Sequence, residues 1–209
     1  MEIKVCGMRD LENIRELIDQ VNPDWMGLIF YPKSPRFVSD QSANQIAGFP
    51  VKKVGVFVNE AAAEILKKIR DFDLAAVQLH GQEPPEFVEL LSKKTSAEIW
   101  KVISVQDQID WKSLKGYIPF VSKFLFDTAT SAHGGSGQKF DWAILETYPF
   151  DKGFLLSGGL DEVSHEEILA LAAKLPQLQG VDLNSRFEEV PGLKNLGRLK
   201  KFKEKLLQS

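Results

Sequence analysis

Short apolar runs alternate with helix-period segments along all 209 residues, about eight times over. The candidate strands are residues 3–6, 25–30, 53–58, 75–79, 99–105, 123–127, 154–157 and 180–183. Most are continuously apolar, which is the pattern of parallel strands covered on both faces. The segments between them carry helix signals. Asp10 precedes Ile14, Leu17, Ile18 and Val21 at helical spacing, Asn59 precedes an Ala/Glu-rich run, and Pro84 and Pro85 open another. Ser164 is placed to cap 165–174, and a last helix is expected over 195–207. Eight such units have two closed solutions, an eight-fold barrel or an open doubly wound sheet. The first turn reads Cys6-Gly7-Met8-Arg9-Asp10, without the dinucleotide glycine fingerprint of the open sheet. No Pro/Ser/Gly-rich linker divides the chain. The expected fold is therefore α/β: a single-domain (β/α)8 TIM barrel of eight parallel strands over residues 1–209.

In a parallel barrel every strand points the same way, so functional side chains gather at one mouth, on strand ends and the loops after them. Reading those positions in order gives Cys6; Arg36, in a loop stiffened by Pro32 and Pro35; His80; Asp127; and Asp182. Three late turns are rich in small residues: Gly134-Gly135-Ser136-Gly137, Gly158-Gly159 and Asn184-Ser185. Glycine lets backbone N–H groups approach an anion, and barrels build phosphate sites after strands seven and eight. Cys6 alone reads as a buried, inert thiol. Paired with a carboxyl across one mouth it reads as a base facing an acid, if the turn into the first helix supplies positive potential. Arg36 reads equally as a surface arginine of a Pro-rich turn and as a pre-ordered grip for a planar carboxylate. The four tryptophans, Trp25, Trp100, Trp111 and Trp142, are expected to pack helices against the barrel.

Composition narrows the function. The net charge of −3 gives no electrostatic case for nucleic acid, and the basic run 198–205 suits the solvated face of a terminal helix. One cysteine excludes an internal disulfide and any Cys-rich zinc site, and the three histidines lack metal-ligand spacing. Neither a signal-peptide pattern nor a membrane-spanning apolar stretch is expected, which points to the cytoplasm. The expected partner is a small phosphorylated molecule, with no nucleic acid, no membrane and no obligate protein partner.

Several ordered motifs carry a resemblance over nearly the whole length: Lys4-Val5-Cys6-Gly7, Tyr31-Pro32-Lys33-Ser34-Pro35-Arg36, Val77-Gln78-Leu79-His80-Gly81, Gly134-Gly135-Ser136-Gly137, Ser157-Gly158-Gly159-Leu160 and Gly180-Val181-Asp182. In these the chain resembles the phosphoribosylanthranilate isomerases of tryptophan biosynthesis. The resemblance implies a cofactor-free Amadori rearrangement of N-(5-phosphoribosyl)anthranilate. It implies that Asp127 is the general acid that opens the ribose ring and Cys6 the general base at C2. Arg36 would hold the anthranilate carboxylate, and Asp182 and His80 would contact substrate. Gly158, Gly159, Asn184 and Ser185 would bind phosphate, with Gly135 and Gly137 in a flap over the ligand.

Two departures stand out. Leu183-Asn184-Ser185-Arg186 replaces a Val-Ser-Ser-Gly sequence, and Asn195 stands where aspartate is common. Neighbouring readings fit less well. A histidine-pathway isomerase has a carboxylate in place of Cys6, and a tryptophan-pathway synthase has lysines at strand ends where this chain has Phe30 and Val58. A non-catalytic phosphosugar-binding barrel has no use for both Cys6 and Asp127.

Overall fold

The computed structural model of the chain describes residues 1–128 and 139–207. Eight parallel strands follow one another round a closed barrel. They are β1 (Glu2–Val5), β2 (Trp25–Ile29), β3 (Lys52–Phe57), β4 (Leu74–Leu79), β5 (Glu98–Val105), β6 (Lys123–Thr128), β7 (Phe154–Leu156) and β8 (Leu178–Leu183). The ring closes where β8 pairs with β1, so no strand of the barrel keeps an open edge. A small antiparallel hairpin, β9 (Glu188–Val190) and β10 (Leu193–Lys194), follows β8.

Helices α1 (Leu11–Gln20), α2 (Ala43–Ala47), α3 (Ala62–Phe72), α4 (Pro85–Ser92), α5 (His165–Lys174) and α6 (Leu196–Leu207) form the outer layer. Asp10 caps α1 as its sequence predicts, accepting from the Asn13 N–H at 2.8 Å. Asn195 caps α6 in the same way, accepting from the Arg198 N–H at 2.9 Å. Aspartate and asparagine both make this bond, so the departure at Asn195 leaves the cap intact. Ser164 does not cap α5. Its hydroxyl donates to Asp161 Oδ1 at 2.6 Å and closes a local turn instead.

Two of the eight connections differ from the expected strand–helix unit. After β5 the described chain forms only a 3-10 turn, Trp111–Leu114, and after β6 another, Trp142–Thr147. Asp110 and Asp141 each accept from an N–H two residues on, which tightens these turns. Gly116 with Pro119 then ends the first, and Pro149 ends the second.

The tryptophans divide into two sites. Trp111 packs outside the barrel wall, edge-on to Phe126 and Tyr148. Trp25 and Trp100 instead fill the barrel interior with Val54, Ala76, Val102, Leu125 and Leu155, their rings 4.8 Å apart in a T. Strands covered on both faces are apolar on both, so the alternation that separates core from solvent says nothing about which side faces inward. Lys123 lies over both rings and pairs with Glu2 at 2.8 Å. The interior near the strand starts is therefore a packed plug, and the open space lies at the other end.

Candidate active site

Three residues predicted at strand ends sit one step beyond their strands, yet neighbouring strands still pin their backbones. The N–H groups of Cys6, His80 and Ser157 donate to Leu183, Phe57 and Phe126 carbonyls, each at 2.8 Å. Asp127 lies within β6, opposite Ser104. These backbones inherit the rigidity of the barrel wall. Cys6, His80, Asp127, Asp182 and Arg36 line one cavity of about 420 Å³, a volume suited to a small-molecule ligand. Gly158, Gly159, Asn184 and Ser185 line the same cavity. Gly135 and Gly137 lie outside the described residues.

Space for the Cys6 sulfur comes from a residue the sequence reading passed over. A Cβ at Gly27 on β2 would stand 2.7 Å from Cys6 Sγ and 2.9 Å from Cys6 Cα, so only glycine leaves the thiol in place. Burial raises the thiol above its ordinary pKa, against the pull of Lys4 and Lys194. The positive groups acting on the sulfur are thus buried lysine side chains, which the expectation of help from the helix turn did not name. Lys4 is fully buried and donates to Asp182 Oδ2 at 2.8 Å. Burial works to lower the Lys4 pKa, but Asp182 and, after it, Cys6 together outweigh it and raise it above the ordinary value, so Lys4 stays an ammonium. The other oxygen of Asp182, Oδ1, is buried without a hydrogen-bond partner among the described residues.

Asp127 is also buried. Its Oδ1 accepts from the Thr128 N–H at 2.9 Å, and its Oδ2 stands 3.4 Å from His80 Nε2. His80 therefore neighbours the carboxyl as well as the cavity. A buried Lys101–Glu83 pair at 2.9 Å holds the loop that carries it. Lys101 also donates to the Gly81 carbonyl at 2.7 Å, and Glu83 accepts from the Asn59 and Gly81 N–H groups.

Arg36 is buried, which the reading of it as a surface arginine did not expect. It is already held in part. Its Nε donates to Glu188 Oε1 at 2.9 Å and its Nη2 to Glu188 Oε2 at 2.6 Å, a paired contact that leaves the Nη1 edge for other partners. Glu188 in turn accepts from Lys194 Nζ at 2.6 Å, and Lys194 donates to Asn184 Oδ1 at 2.8 Å. Burial works to raise the Glu188 pKa, but hydrogen bonds from Arg36 and Lys194 outweigh it and hold the carboxyl below its usual range. Burial lowers Lys194 to about 8. The β9–β10 hairpin thus fixes the arginine beside the mouth. The Asn184 Oδ1 is engaged by this cluster. Across the cavity Gly158 and Gly159 turn with φ of 87° and 68°, and a Cβ at Gly158 would meet Thr128 Oγ1 at 2.3 Å.

A thiol, a carboxyl and a held guanidinium at the C-terminal ends of eight parallel strands place this chain among the barrel enzymes that act on small molecules at that mouth. Residues 3–205 match the family profile of N-(5'phosphoribosyl)anthranilate (PRA) isomerase. The N-(5'-phosphoribosyl)anthranilate isomerase of Phocaeicola vulgatus is 44% identical over 208 residues, spanning 100% of this chain and 98% of that protein. Phosphoribosyl anthranilate isomerase from Thermotoga maritima superposes with a TM-score of 0.85 at 33% identity, with 100% of both chains covered. A further phosphoribosyl anthranilate isomerase, solved with reduced 1-(o-carboxyphenylamino)-1-deoxyribulose 5-phosphate, gives 0.82 at 30% identity over 100% of each chain. The chain belongs to the N-(5'-phosphoribosyl)anthranilate isomerase family.

The fit of Cys6 against Gly27 yields an expected outcome. Gly27→Ala is predicted to cost ~1–3 kcal/mol of stability through overpacking and to displace the thiol, read by denaturant unfolding and a structure of the variant. Unchanged stability with Cys6 in place would contradict the close approach.

Proposed function

We propose that Cys6 and Asp127 are the base and the acid of the isomerisation that defines this family. The chain is an isomerase of tryptophan biosynthesis, converting N-(5-phosphoribosyl)anthranilate to 1-(2-carboxyphenylamino)-1-deoxyribulose 5-phosphate. The observation that carries the residue assignment is that a buried thiol and a buried carboxyl line one cavity at the ends of β1 and β6.

The reaction is an internal redox exchange between C1 and C2 with no net change in atoms. Asp127 donates a proton to the ribose ring oxygen as the C1–O bond breaks, and the nitrogen lone pair forms the C1=N iminium. The iminium acidifies the C2–H, so a thiolate of moderate basicity suffices to remove it. The C–H electron pair becomes a C1=C2 bond, and the nitrogen becomes neutral. The resulting enolamine then gains a proton at C1 from the Cys6 thiol and passes its C2 hydroxyl proton to the Asp127 carboxylate, giving the ketone and restoring both groups. Asp127 must begin protonated.

The two charged ends of the substrate orient it. Arg36 presents its Nη1 edge to the anthranilate carboxylate, with Glu188 fixing the guanidinium. The phosphate sits at the Gly158-Gly159 turn and Asn184-Ser185, which line the cavity after β7 and β8. The unpartnered Asp182 Oδ1 accepts from a substrate hydroxyl. The ligand of the related isomerase carries a carboxyphenyl group and a phosphate on one deoxyribulose chain, matching this spread of sites. We place the reaction in the cytoplasm, with other steps that use soluble phosphorylated intermediates. No described helix is long and apolar enough to cross a membrane.

Cys6→Ser and Asp127→Asn are each expected to lower turnover by ~10²-fold or more, the scale of losing a general base or acid, with smaller changes in substrate affinity. The loss of anthranilate-type fluorescence on turnover measures both. Near-full activity in either variant would remove that residue from its role. Glu188→Gln should loosen Arg36 and raise KM by about tenfold with kcat nearly unchanged, since hydrogen bonds between charged groups contribute ~1.5–3 kcal/mol. An unaltered KM would detach Glu188 and Arg36 from carboxylate binding.

A further inference from the structure

The reaction as proposed needs a thiolate, yet Cys6 is buried at the end of a strand in a mostly apolar wall. Charge must be balanced from nearby. Lys4 lies two residues earlier on the same strand, so its side chain points to the same face, into the barrel. There it sits opposite Asp182 in the β1–β8 register and is entirely buried above the apolar plug of Trp25, Trp100, Leu125 and Leu155. A lysine here is costly as pure structure. A buried ion pair can often be replaced by packed apolar side chains with no loss of stability, so it is weak evidence for a stabilising role. Another ion pair of the interior, Lys123 with Glu2 at the strand starts, reaches solvent through Glu2, whereas Lys4 and Asp182 are both buried.

We propose that Lys4 is a positioning residue of the reaction: its buried ammonium, paired with Asp182 on the neighbouring strand, is the counter-charge that lets Cys6 become a thiolate. The proposal rests on Cys6 being the base. The groups that face Cys6 are Lys4 on β1, Asp182 on β8, Lys194 on β10 and Arg36 after β2, with Asp127 and His80 across the cavity. Of these, Lys4 and Lys194 pull the thiol down while burial and Asp182 push it up. Lys194 is shared with Glu188 and Asn184 and falls to about 8, so it loses its charge above neutral pH, whereas Lys4 is raised and keeps its charge there. The sign follows for each variant. Losing Lys4 removes a cation and leaves Asp182 facing the sulfur, so the thiol holds its proton to higher pH. Losing the Asp182 charge removes the anion that competes with the thiolate for Lys4; the thiolate, which also raises the Lys4 pKa, becomes its partner, so the thiol releases its proton at lower pH.

Cys6 is the single cysteine of the chain, so alkylation by iodoacetamide reports on it alone. The rate is measured against pH in the free enzyme for wild type, Lys4→Met and Asp182→Asn, with folding checked by circular dichroism. The midpoint reports thiolate formation, and the high-pH limit reports access separately. Lys4→Met is expected to raise the midpoint by ~1 unit or more, the scale for a unit charge at close range, slowing alkylation about tenfold at neutral pH. Asp182→Asn is expected to lower it. Opposite shifts support the proposal, since a merely structural lysine would give no such pair. An unchanged midpoint, or shifts of the same sign, overturns it. Should Lys4→Met fail to fold, Asp182→Asn decides: a lowered midpoint supports the proposal, and an unchanged or raised one overturns it. The midpoint is measured without substrate and holds whether or not Cys6 is the base. Turnover of Cys6→Ser tests that reading separately.

Discussion

The barrel closes where its last strand meets its first, and the register of that seam sets the chemistry at the mouth. Pairing β1 with β8 puts Lys4 opposite Asp182 and leaves the Cys6 N–H on the Leu183 carbonyl. A slip of one residue would turn Lys4 and Cys6 outward together, because strand side chains alternate between faces. The same closure removes every edge of the eight-stranded ring and sends all C-terminal strand ends to one side. A fold-level constraint thereby becomes a chemical one: residues from β1, β6 and β8, distant in sequence, share one cavity of about 420 Å³.

Along the barrel axis the interior changes character. Near the strand starts it is a packed plug of Trp25, Trp100 and aliphatic side chains. Above it lies a buried ion pair, Lys4 with Asp182, and above that the open cavity. A dry floor strengthens electrostatic effects on whatever sits over it, since the interior screens charge far less than water does. A second cluster, Arg36 with Glu188 and Lys194, stands at the rim and is anchored by the β9–β10 hairpin. The site is thus charged at fixed points within a rigid wall, which is the arrangement that positions both ends of an elongated anionic substrate.

Much of this was legible in the sequence, for identifiable reasons. Eight apolar runs separated by amphipathic segments announce a parallel barrel, and Cys6 and Asp127 are visible because each closes such a run. Their roles came from a motif-level resemblance. Other partners were hidden. Lys4 looks like an ordinary polar residue in a short strand until closure reveals Asp182 opposite it. Glu188 lies in a Glu-Glu-Val stretch that reads as solvent-exposed, and only the hairpin folds it against Arg36. Gly27 gives no signal of its own, since its role is to make room for an atom on another strand. Trp25 and Trp100 give no sign that they fill the interior, because an apolar strand carries no mark of inside or outside. The missing information is in each case a contact across strands.

The central claim is that substrate binds between Cys6 and Asp127 with its carboxylate toward Arg36 and its phosphate toward Gly158-Gly159. The most direct measurement is a crystal structure of this protein with reduced 1-(o-carboxyphenylamino)-1-deoxyribulose 5-phosphate. The account predicts the Cys6 sulfur at ~3–3.5 Å from C2, a near-attack distance, with Asp127 beside the hydroxyl that derives from the ring oxygen and Lys4 still paired to Asp182. A ligand bound in the reverse sense, or with C2 out of reach of the Cys6 sulfur, would contradict it.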